Sequence, residues 1–392
     1  MALELLNIIE TMRAEEASME RLYSAEDGVS PRTIRNKPNY GNRLLEAMQL
    51  VQRARVSHLG RHYFVEAMGT SDFPLLLADV LDRQLYATYA ETAQAWMTYC
   101  KKSTVRDFRT VSRFAVDGAE GRLPSVAEKV PYSPNVLSET EYTYAVSKYG
   151  RTLNWSWESF INDDLDALGA SSPARLGKAA RRSEDYFATG LHVDTNGPHA
   201  SLYTSGNKNI INTTNGAATT NPVLGVAGLQ DAFTVMGLQL DGDSEPIGID
   251  GVILEVPPSL EVTGQNLLNA TQVIVGADTG AQRIVTSNWM KSKVTLVVNP
   301  YIPVIATTNG KTTWFVHANP NSGRPAMEMG LLRGHEAPEL FMKLQNQVRI
   351  GGGGGAMDGS FEDDTIAYKV RHVFGGARVS GKSTVGSNGS GS

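Results

Sequence analysis

The fold of this chain is decided by the stretch Thr140–Leu168, which reads T-E-Y-T-Y-A-V-S-K-Y-G-R-T-L-N-W-S-W-E-S-F-I-N-D-D-L-D-A-L. Its first part, Glu141–Trp157, is rich in Tyr, Thr, Val and Trp and contains no proline, which favours an extended strand. At about 3.3 Å per residue such a strand would be roughly 55 Å long, whereas an ordinary strand has about five or six residues. Apolar side chains fall on both of its faces, so the ribbon needs neighbouring surfaces to cover it. The stretch therefore predicts a subunit that is built for assembly.

The composition of the chain is that of an ordinary globular protein. It has 392 residues, enough for two or three domains, with 41% hydrophobic and 20% charged residues. The net charge of −5 argues against a protein whose main role is to bind nucleic acid over its whole surface. The single cysteine, Cys100, excludes a disulfide framework within the chain and fits a reducing compartment.

No targeting or membrane signal stands out. No apolar run reaches the roughly 20 residues of a membrane span. Glu4 and Glu10 stand where a signal peptide would carry basic residues. We therefore expect a soluble protein that is made in a cytoplasm.

Residues 1 to about 100 have the periodicity of helices that are separated by breaks. Glycine and proline mark the breaks, which fall at 28–41 and 69–74. Beyond the second break, one helix is predicted to carry an apolar stripe of Leu77, Leu81, Leu85, Tyr89, Trp96 and Cys100. Narrow stripes of this kind are typical of helices that dock on another surface.

The segment after the long strand predicts one helix and then a mixed, loop-rich region. Ser171 or Ser172 is a suitable N-cap, and Asn196-Gly197 marks the end of the helix. The apolar stripe of this helix consists of Leu176, Ala180, Phe187 and Leu191. Further elements are predicted as a helix at about 227–240 and strands at 251–256, 293–299, 312–317 and 362–373. Five glycines at 351–355 indicate a flexible loop, and the last dozen residues indicate a mobile tail. Together these elements predict an α+β fold.

Residues Gly376–Ser383 match the phosphate-binding pattern G-x-x-x-x-G-K-[ST]. That motif requires a helix directly after it, because the amide groups of the helix N-terminus bind the phosphates. The residues after Ser383 read T-V-G-S-N-G-S-G-S and cannot form that helix. We therefore interpret the match as part of a glycine-rich terminal strand.

The other polar clusters predict no metal, no cofactor and no catalytic centre. Asp163, Asp164 and Asp166 are expected to start a helical turn, because adjacent carboxylates do not face each other on a helix. The run L-D-G-D-S-E at 240–245 lacks the ligand set of a calcium loop and indicates a solvated turn. The seven histidines show no zinc-binding spacing, and a Ser/His/Asp triad cannot be selected from sequence.

Four short motifs stand in order along the chain. They are Gly69–Pro74, Lys148–Arg151, Ser159–Leu165 and Leu176–Ala180. Together they resemble the Mu-like major head subunit family of tailed bacteriophages. The resemblance covers about residues 69–200 and returns at 363–389.

The resemblance implies the Hong Kong 97-type capsid fold, which is α+β. It implies a helical extension at 1–68, an N-terminal arm at 69–115 and an extended hairpin loop at 116–158. It further implies a peripheral domain at 159–240 and 340–392, with a spine helix at about 172–196, and an axial domain at 241–339.

The resemblance also implies a major capsid protein. Such subunits form pentamers and hexamers in an icosahedral shell around double-stranded DNA, and the shell is made in the bacterial host cytoplasm. The implied partners are other copies of the chain, a portal protein, DNA without sequence preference and, in some relatives, scaffolding or decoration proteins. The resemblance implies no membrane partner.

Two sets of residues are candidates for contacts in such an assembly. A subunit interface is predicted at Tyr142, Tyr144, Tyr149, Arg151, Trp155 and Trp157, which pack on a neighbour or at the root of the hairpin. A basic arm lies between Pro31 and His62 and consists of Arg32, Arg35, Lys37, Arg43, Arg53, Arg55 and Arg61. With Glu46 as the one acid, the local charge is +6, and the arm faces either packaged DNA or an acidic neighbouring subunit.

Two alternatives stay open on the sequence. One is an encapsulin-like compartment shell protein of the same fold, which would enclose a cargo enzyme instead of DNA. The other is a P-loop-type nucleotide-binding protein that uses Gly376–Ser383. A tail-fibre or adhesin module is a weaker third alternative, because the repeats expected of it are absent from the sequence.

Overall fold

The structure is a computed structural model of the chain. It describes residues 85–92, 94–117, 122–123, 125–129, 131–132, 138–156, 158, 172–242, 244–248, 251–275, 284–291, 293–321, 323–343 and 360–391. Among these residues, no helix has the length and apolarity needed to cross a membrane.

The chain divides into two compact units. The first comprises Met1–Leu81, Leu153–Asp164 and Met342–Tyr368, and most of it lies outside the described residues. The second comprises Asp82–Thr152, Leu165–Phe341 and Lys369–Ser392 and contains the side chains of the candidate site.

The described residues form helices and strands in a mixed order. The helices are α1 (85–91), α2 (Trp96–Tyr99), α3 (Ser172–His192), α4 (Val226–Gly237), α5 (Glu261–Asn269) and α6 (Ile302–Ile305). The first strands are β1 (Lys101–Val105), β2 (Val111–Asp117), β3 (Ser138–Tyr144), β4 (Ser147–Ser156), β5 (Val193–Asp194), β6 (Gly197–Pro198), β7 (Val252–Val256) and β8 (Gln272–Val275). The later strands are β9 (Ile284–Ser287), β10 (Val294–Val298), β11 (Trp314–Ala318), β12 (Met327–Leu332), β13 (Glu339–Met342), β14 (Thr365–Arg378) and β15 (Thr384–Ser387). The α+β class predicted from the sequence is confirmed.

A five-stranded sheet is built around β12 and β14. Its order is β1-β12-β14-β13, and β4 also pairs with β14. β1 runs parallel to β12, whereas β14 runs antiparallel to it. All six residues of β12 are buried, as expected for a strand that is covered on both faces.

A four-stranded sheet has the order β10-β7-β11-β15 and separates two hydrophobic cores. Alternate residues of a strand point to opposite faces, and in β11 both faces are buried. Trp314 and Val316 belong to one core, together with Leu254 of β7. Phe315 belongs to the other core, together with Leu191 of α3. β11 is therefore a central element that joins the two cores.

The single long strand predicted over Glu141–Trp157 is wrong. The chain forms β3 and β4, which are separated by Ala145 and Val146. β3 pairs with β2 in an antiparallel hairpin, with Val111 opposite Tyr144. β4 pairs instead with β14 of the five-stranded sheet.

The break between β3 and β4 has a steric reason. A Cβ at Gly375 of β14 would lie 2.3 Å from the carbonyl oxygen of Ala145 and 2.9 Å from the Cα of Val146. The backbone at the break therefore packs directly on the backbone of β14, and the Val146 side chain is buried there. This contact turns the chain onto the sheet.

The predicted helix after Ser171 is confirmed as α3, but it ends at His192, four residues before the predicted Asn196. It ends early because β5 and β6 pair as a short hairpin at 193–198. Of the predicted stripe, Leu176, Ala180 and Leu191 are buried and Phe187 is half-buried.

The one helix predicted to run through Leu85 and Cys100 is interrupted. α1 covers 85–91 and α2 begins at Trp96, whose backbone N–H donates to Asp185 Oδ1 of α3 at 3.2 Å. The described part of the stripe is nevertheless buried, since Leu85, Tyr89, Trp96 and Cys100 all lie in the interior. Leu77 and Leu81 lie outside the described residues.

The predictions of a helix at about 227–240 and of strands at 251–256, 293–299, 312–317 and 362–373 are confirmed as α4, β7, β10, β11 and β14. The turn expected at 240–245 is also present, since the backbone N–H of Glu245 donates to Asp241 Oδ1 at 2.9 Å. The predictions for residues 1–84, for Asp163, Asp164 and Asp166 and for the glycines at 351–355 lie outside the described residues.

The prediction of a mobile tail is wrong for the first part of the last dozen residues. Residues Thr384–Ser387 form β15, which pairs with β11, and all four are buried. Packing stabilises this strand, because Val385 has no exposed surface and belongs to the core that contains Trp314 and Val316. The match at Gly376–Ser383 spans the end of β14 and a short 3-10 turn, and β15 follows it where a phosphate site needs a helix. The interpretation as a terminal strand is confirmed for residues 376–378 only, since the rest of the match forms a connection to β15.

We expect Gly375→Ala to destabilise the protein by about 1–3 kcal/mol, because its methyl group overlaps backbone atoms that cannot move aside easily. Gly190→Ala, inside α3, is the matched control. A Cβ at Gly190 meets nothing within 4 Å, so this change should stabilise by about 0.5–1 kcal/mol. Urea unfolding of both variants measures the difference, and equal effects would contradict the proposed role of Gly375.

Candidate functional site

Three glutamates without any exposed surface lie inside the second unit: Glu184 on α3, Glu255 on β7 and Glu328 on β12. A buried carboxylate costs several kcal/mol unless donors surround it. Each of these three carboxylates is met by side chains from distant parts of the chain. Each buried glutamate therefore connects helices and strands that are distant in the sequence.

Glu328 fastens the β2–β3 hairpin to the five-stranded sheet. The hydroxyl of Tyr142 donates to Glu328 Oε2 at 2.7 Å, and the hydroxyl of Tyr144 donates to Oε1 at 2.7 Å. The guanidinium of Arg113, on the other strand of the hairpin, lies 2.8 Å from Oε1. Both strands of the hairpin thus contact one carboxylate at their root.

The electrostatics at Glu328 favour its charged form. Burial alone would raise the pKa of this carboxyl, but the hydroxyl donors and Arg113 outweigh burial and lower it. Burial, opposed by Ser103 and reinforced by the Glu328 hydrogen bond, raises the pKa of Tyr144 to about 12. The carboxylate therefore stays ionised and the phenol stays a donor over the physiological pH range.

Glu184 fastens α1 and α2 to α3 and β14. Its Oε1 accepts from the hydroxyl of Tyr89 and lies by His372 Nε2, both at 2.5 Å. Its Oε2 accepts from Trp96 Nε1 at 2.9 Å and from Arg181 Nη1 at 2.9 Å. Burial would raise the pKa of Glu184, but His372 and Arg181 outweigh burial and lower it.

Asp185, next to Glu184, is the exception. Its Oδ1 accepts a 3.2 Å bond from the backbone N–H of Trp96, and the charge of Glu184 lies close by. Burial raises the pKa of Asp185 to about 6, and the Glu184 charge adds to this rise.

Glu255 lies between α3, β11 and the residue after β10. Its Oε2 is 2.9 Å from His192 Nε2 and 2.8 Å from His317 Nε2, and its Oε1 accepts from Asn299 Nδ2 at 2.6 Å. Burial would raise the pKa of Glu255, but the charge of His192 and the contacts of both imidazoles outweigh it and lower the pKa. Two histidines and a carboxylate that share one point can hold a divalent metal ion.

The family of the chain follows from its sequence between the hairpin and the C-terminal strand. A family model of phage capsid proteins, described as "Phage capsid protein", matches residues 139–383. This span holds all but the first residue of β3, the three buried glutamates and β14. The chain belongs to the phage capsid protein family. It is a major capsid protein, a structural subunit of the shell of the virion.

Solved structures of similar fold include two cyanophage capsids. The capsid asymmetric unit of cyanophage Pam1 is 12% identical, with 75% of this chain and 89% of that chain covered and a TM-score of 0.45. The capsid of cyanophage P-SCSP1u is 8% identical, with 75% and 87% covered and a TM-score of 0.43.

A virus-like particle from Pyrococcus furiosus is 9% identical, with 79% of this chain and 97% of that chain covered and a TM-score of 0.40. No curated protein matches the chain. The family assignment rests on the sequence match.

The six predicted interface residues of the capsid protein lie in different environments. Tyr142 and Tyr144 lie on Glu328 at the root of the hairpin, and Tyr149 stacks on Phe374 with 4.1 Å between ring centroids. Arg151 is exposed on β4. Trp155 belongs to β4, and Trp157 lies outside the described residues. Contact of these residues with a neighbouring subunit stays a prediction.

The predicted basic arm lies entirely outside the described residues. It comprises Arg32, Arg35, Lys37, Arg43, Arg53, Arg55 and Arg61. Its contact with DNA or with a neighbour also stays a prediction.

The spacing of the residues along the chain does not reveal the buried glutamate clusters. His192, Glu255 and His317 are separated by 63 and 62 positions, and no spacing rule connects residues so far apart. One signal was present, because Glu255 and His317 each interrupt a run of apolar residues that reads as a buried strand. A charge in such a run must find a partner.

We expect Asp185→Asn to stabilise the capsid protein at neutral pH. The pKa of Asp185 in the folded state, about 6, lies above the unfolded value of 3.8, so its contribution to stability is present below pH 3.8 and is lost as the pH rises through 6. At pH 7 this loss is roughly 3 kcal/mol, and asparagine avoids it while it keeps the acceptor for Trp96.

Urea unfolding of the wild type and of Asp185→Asn at pH 7 and at pH 4 checks this expectation. The gain should be large at pH 7 and close to zero at pH 4. Asp194→Asn is the control, because a backbone hydrogen bond from Thr195 lowers the pKa of that carboxyl. A gain of equal size at both pH values would contradict the buried-charge explanation.

Proposed function

We propose that copies of this capsid protein form pentamers and hexamers, which close into an icosahedral shell around double-stranded DNA without catalysis. The match to the phage capsid family at 139–383 carries this proposal. The finer assignment to the Mu-like group is supported by the four sequence motifs, of which Leu176–Ala180 lies in the described part of α3. Synthesis and assembly then take place in the cytoplasm of the bacterial host.

The β2–β3 hairpin supports contact between subunits. It is a two-stranded sheet of its own, and an isolated two-stranded hairpin is marginally stable in water. Phe114 on β2 is 57% exposed. In the segment between the strands, Leu123 is 96% exposed and Tyr132 is 85% exposed. Three exposed apolar side chains on one hairpin offer a surface that a second copy of the chain can cover.

The root and the tip of the hairpin have different roles in this proposal. Glu328 fixes the root on its own subunit, so the direction of the hairpin is set before assembly. The exposed tip then meets a neighbour with little loss of conformational entropy. Contacts of this heterologous kind close into rings, and many weak contacts together lock a shell.

We further propose that α3 is the spine helix of the capsid fold and that the β2–β3 hairpin is its extended loop. The portal and, where the phage encodes them, scaffolding or decoration proteins complete the set of partners. No nucleotide role is proposed for Gly376–Ser383, because β15 follows the match and Gly376 serves close packing. A Cβ at Gly376 would lie 2.5 Å from the carbonyl oxygen of Glu328.

Electron microscopy of the purified full chain, expressed alone and with its neighbouring genes, tests the proposed assembly. We expect closed shells or rings of five and six subunits. A monodisperse monomer or small oligomer under both conditions would contradict the proposal. Shells that contain a protein cargo and no nucleic acid would instead support the encapsulin-like alternative.

We expect Leu123→Asp and Tyr132→Asp to lower the yield of shells at least tenfold without changing the melting temperature of the unassembled subunit. Both side chains are exposed in the subunit, so a charge there disturbs only a covered interface. Leu123→Met keeps the apolar surface and should assemble normally. Shell yield is measured by sedimentation, and normal yields of both aspartate variants would exclude the tip as a contact.

Replacing the seven basic residues of the arm by glutamine distinguishes its two proposed partners. If the arm faces DNA, shells should form at normal yield but hold less nucleic acid, and retention should depend less on salt. If the arm faces a neighbouring subunit, the yield of shells should fall. The ratio of absorbance at 260 and 280 nm and the shell yield report the two outcomes separately.

A further inference from the structure

The cluster around Glu255 brings three potential metal ligands to one point inside the subunit. His192 at the end of α3, Glu255 on β7 and His317 on β11 each have no exposed surface. One ligand atom from each residue lies within 4.8 Å of the other two. The described residues offer no other group of this kind.

His192 has a nitrogen that the protein itself does not satisfy. Its Nδ1 lies 3.3 Å from the carbonyl oxygen of Ala188, which can only accept, so this contact favours the tautomer with the proton on Nδ1. Its Nε2 faces Glu255 Oε2 at 2.9 Å but is not aligned for a hydrogen bond and has no other partner. In that tautomer a nitrogen lone pair faces a carboxylate oxygen, and the two repel. A cation between the two atoms would remove this repulsion.

His317 presents the same nitrogen to the same oxygen, with Nε2 2.8 Å from Glu255 Oε2. Its Nδ1 is 2.9 Å from the hydroxyl of Thr384, which in turn is 2.8 Å from the hydroxyl of Tyr203. The Thr384 hydroxyl can accept the Nδ1 proton while it donates to Tyr203. His317 Nε2, which is in hydrogen-bonding geometry with Glu255 Oε2, is then free to donate its electron pair to a metal ion. Glu255 Oε1 is occupied by Asn299, so only Oε2 faces the histidines.

We propose that His192 Nε2, His317 Nε2 and Glu255 Oε2 bind a divalent transition-metal ion, with Zn²⁺ as the best match. Two imidazoles and one carboxylate are a common zinc ligand set. Each ligand is already oriented from behind, by Ala188, Thr384 and Asn299 respectively, as in known zinc sites.

The site is structural in character. It is fully buried, and Tyr99 packs on both imidazoles, with ring centroids 5.1 Å from His192 and 5.4 Å from His317. A bound ion would join α3 to two strands of the four-stranded sheet, because its ligands come from α3, β7 and β11. It would therefore act as an internal staple of the subunit before assembly, independent of what the shell encloses.

Zinc content tests the proposal directly. The full chain is expressed in medium supplemented with zinc sulfate, desalted and analysed by plasma mass spectrometry. We expect one zinc per subunit in the wild type and at least a tenfold loss in His192→Gln and in His317→Gln. His335→Gln is the control, because His335 pairs with Glu339 on the surface without a second histidine, and it should retain the metal.

A second measurement does not depend on whether the variants fold. Anomalous scattering at the zinc edge, from crystals of the wild type, should place one ion between His192, Glu255 and His317. Zinc in the wild type that is retained in both glutamine variants would overturn the proposal, as would an anomalous peak elsewhere. Absence of zinc would also overturn it and would leave a proton shared between His192 and Glu255 as the cation.

Discussion

A carboxylate that is taken out of water must be surrounded by donors, and this constraint organises the subunit. Removing one partner from a buried charge costs about 3–5 kcal/mol, so each buried glutamate holds its partners in place. Glu255 holds α3 against two strands, Glu184 holds α1 and α2 against α3, and Glu328 holds the hairpin against the central sheet. The hydrophobic cores supply most of the stability, whereas these polar contacts determine which elements meet.

The elements that follow from local signals could be predicted from the sequence. α3 follows from a cap and an apolar stripe at 176–191, and β7 and β11 follow from short apolar runs. The capsid family could also be predicted, because short motifs at 148–151 and 176–180 lie inside the matched region. In each case the information lies within about twenty neighbouring residues.

The features that depend on distant residues could not be predicted. The break at Ala145 exists because β14, more than 200 positions away, approaches through Gly375. The sequence of the C-terminal strand is typical of a mobile tail. Only the fold shows that β15 pairs with β11 and that Val385 packs in the first core. The glutamate clusters were missed for the same reason, since only the fold brings His192 and His317 to one carboxylate. Composition and spacing carry no record of such pairings.

These contacts bear on function, because a hairpin fixed at its root can present a defined surface to the next subunit. A high-resolution cryo-electron microscopy map of the assembled shell tests this most directly. We predict that Tyr142 and Tyr144 bind Glu328 of their own subunit in every copy, while Leu123 and Tyr132 are covered by a neighbour. A map in which the hairpin has left Glu328, or in which its tip lies in solvent, would contradict the account.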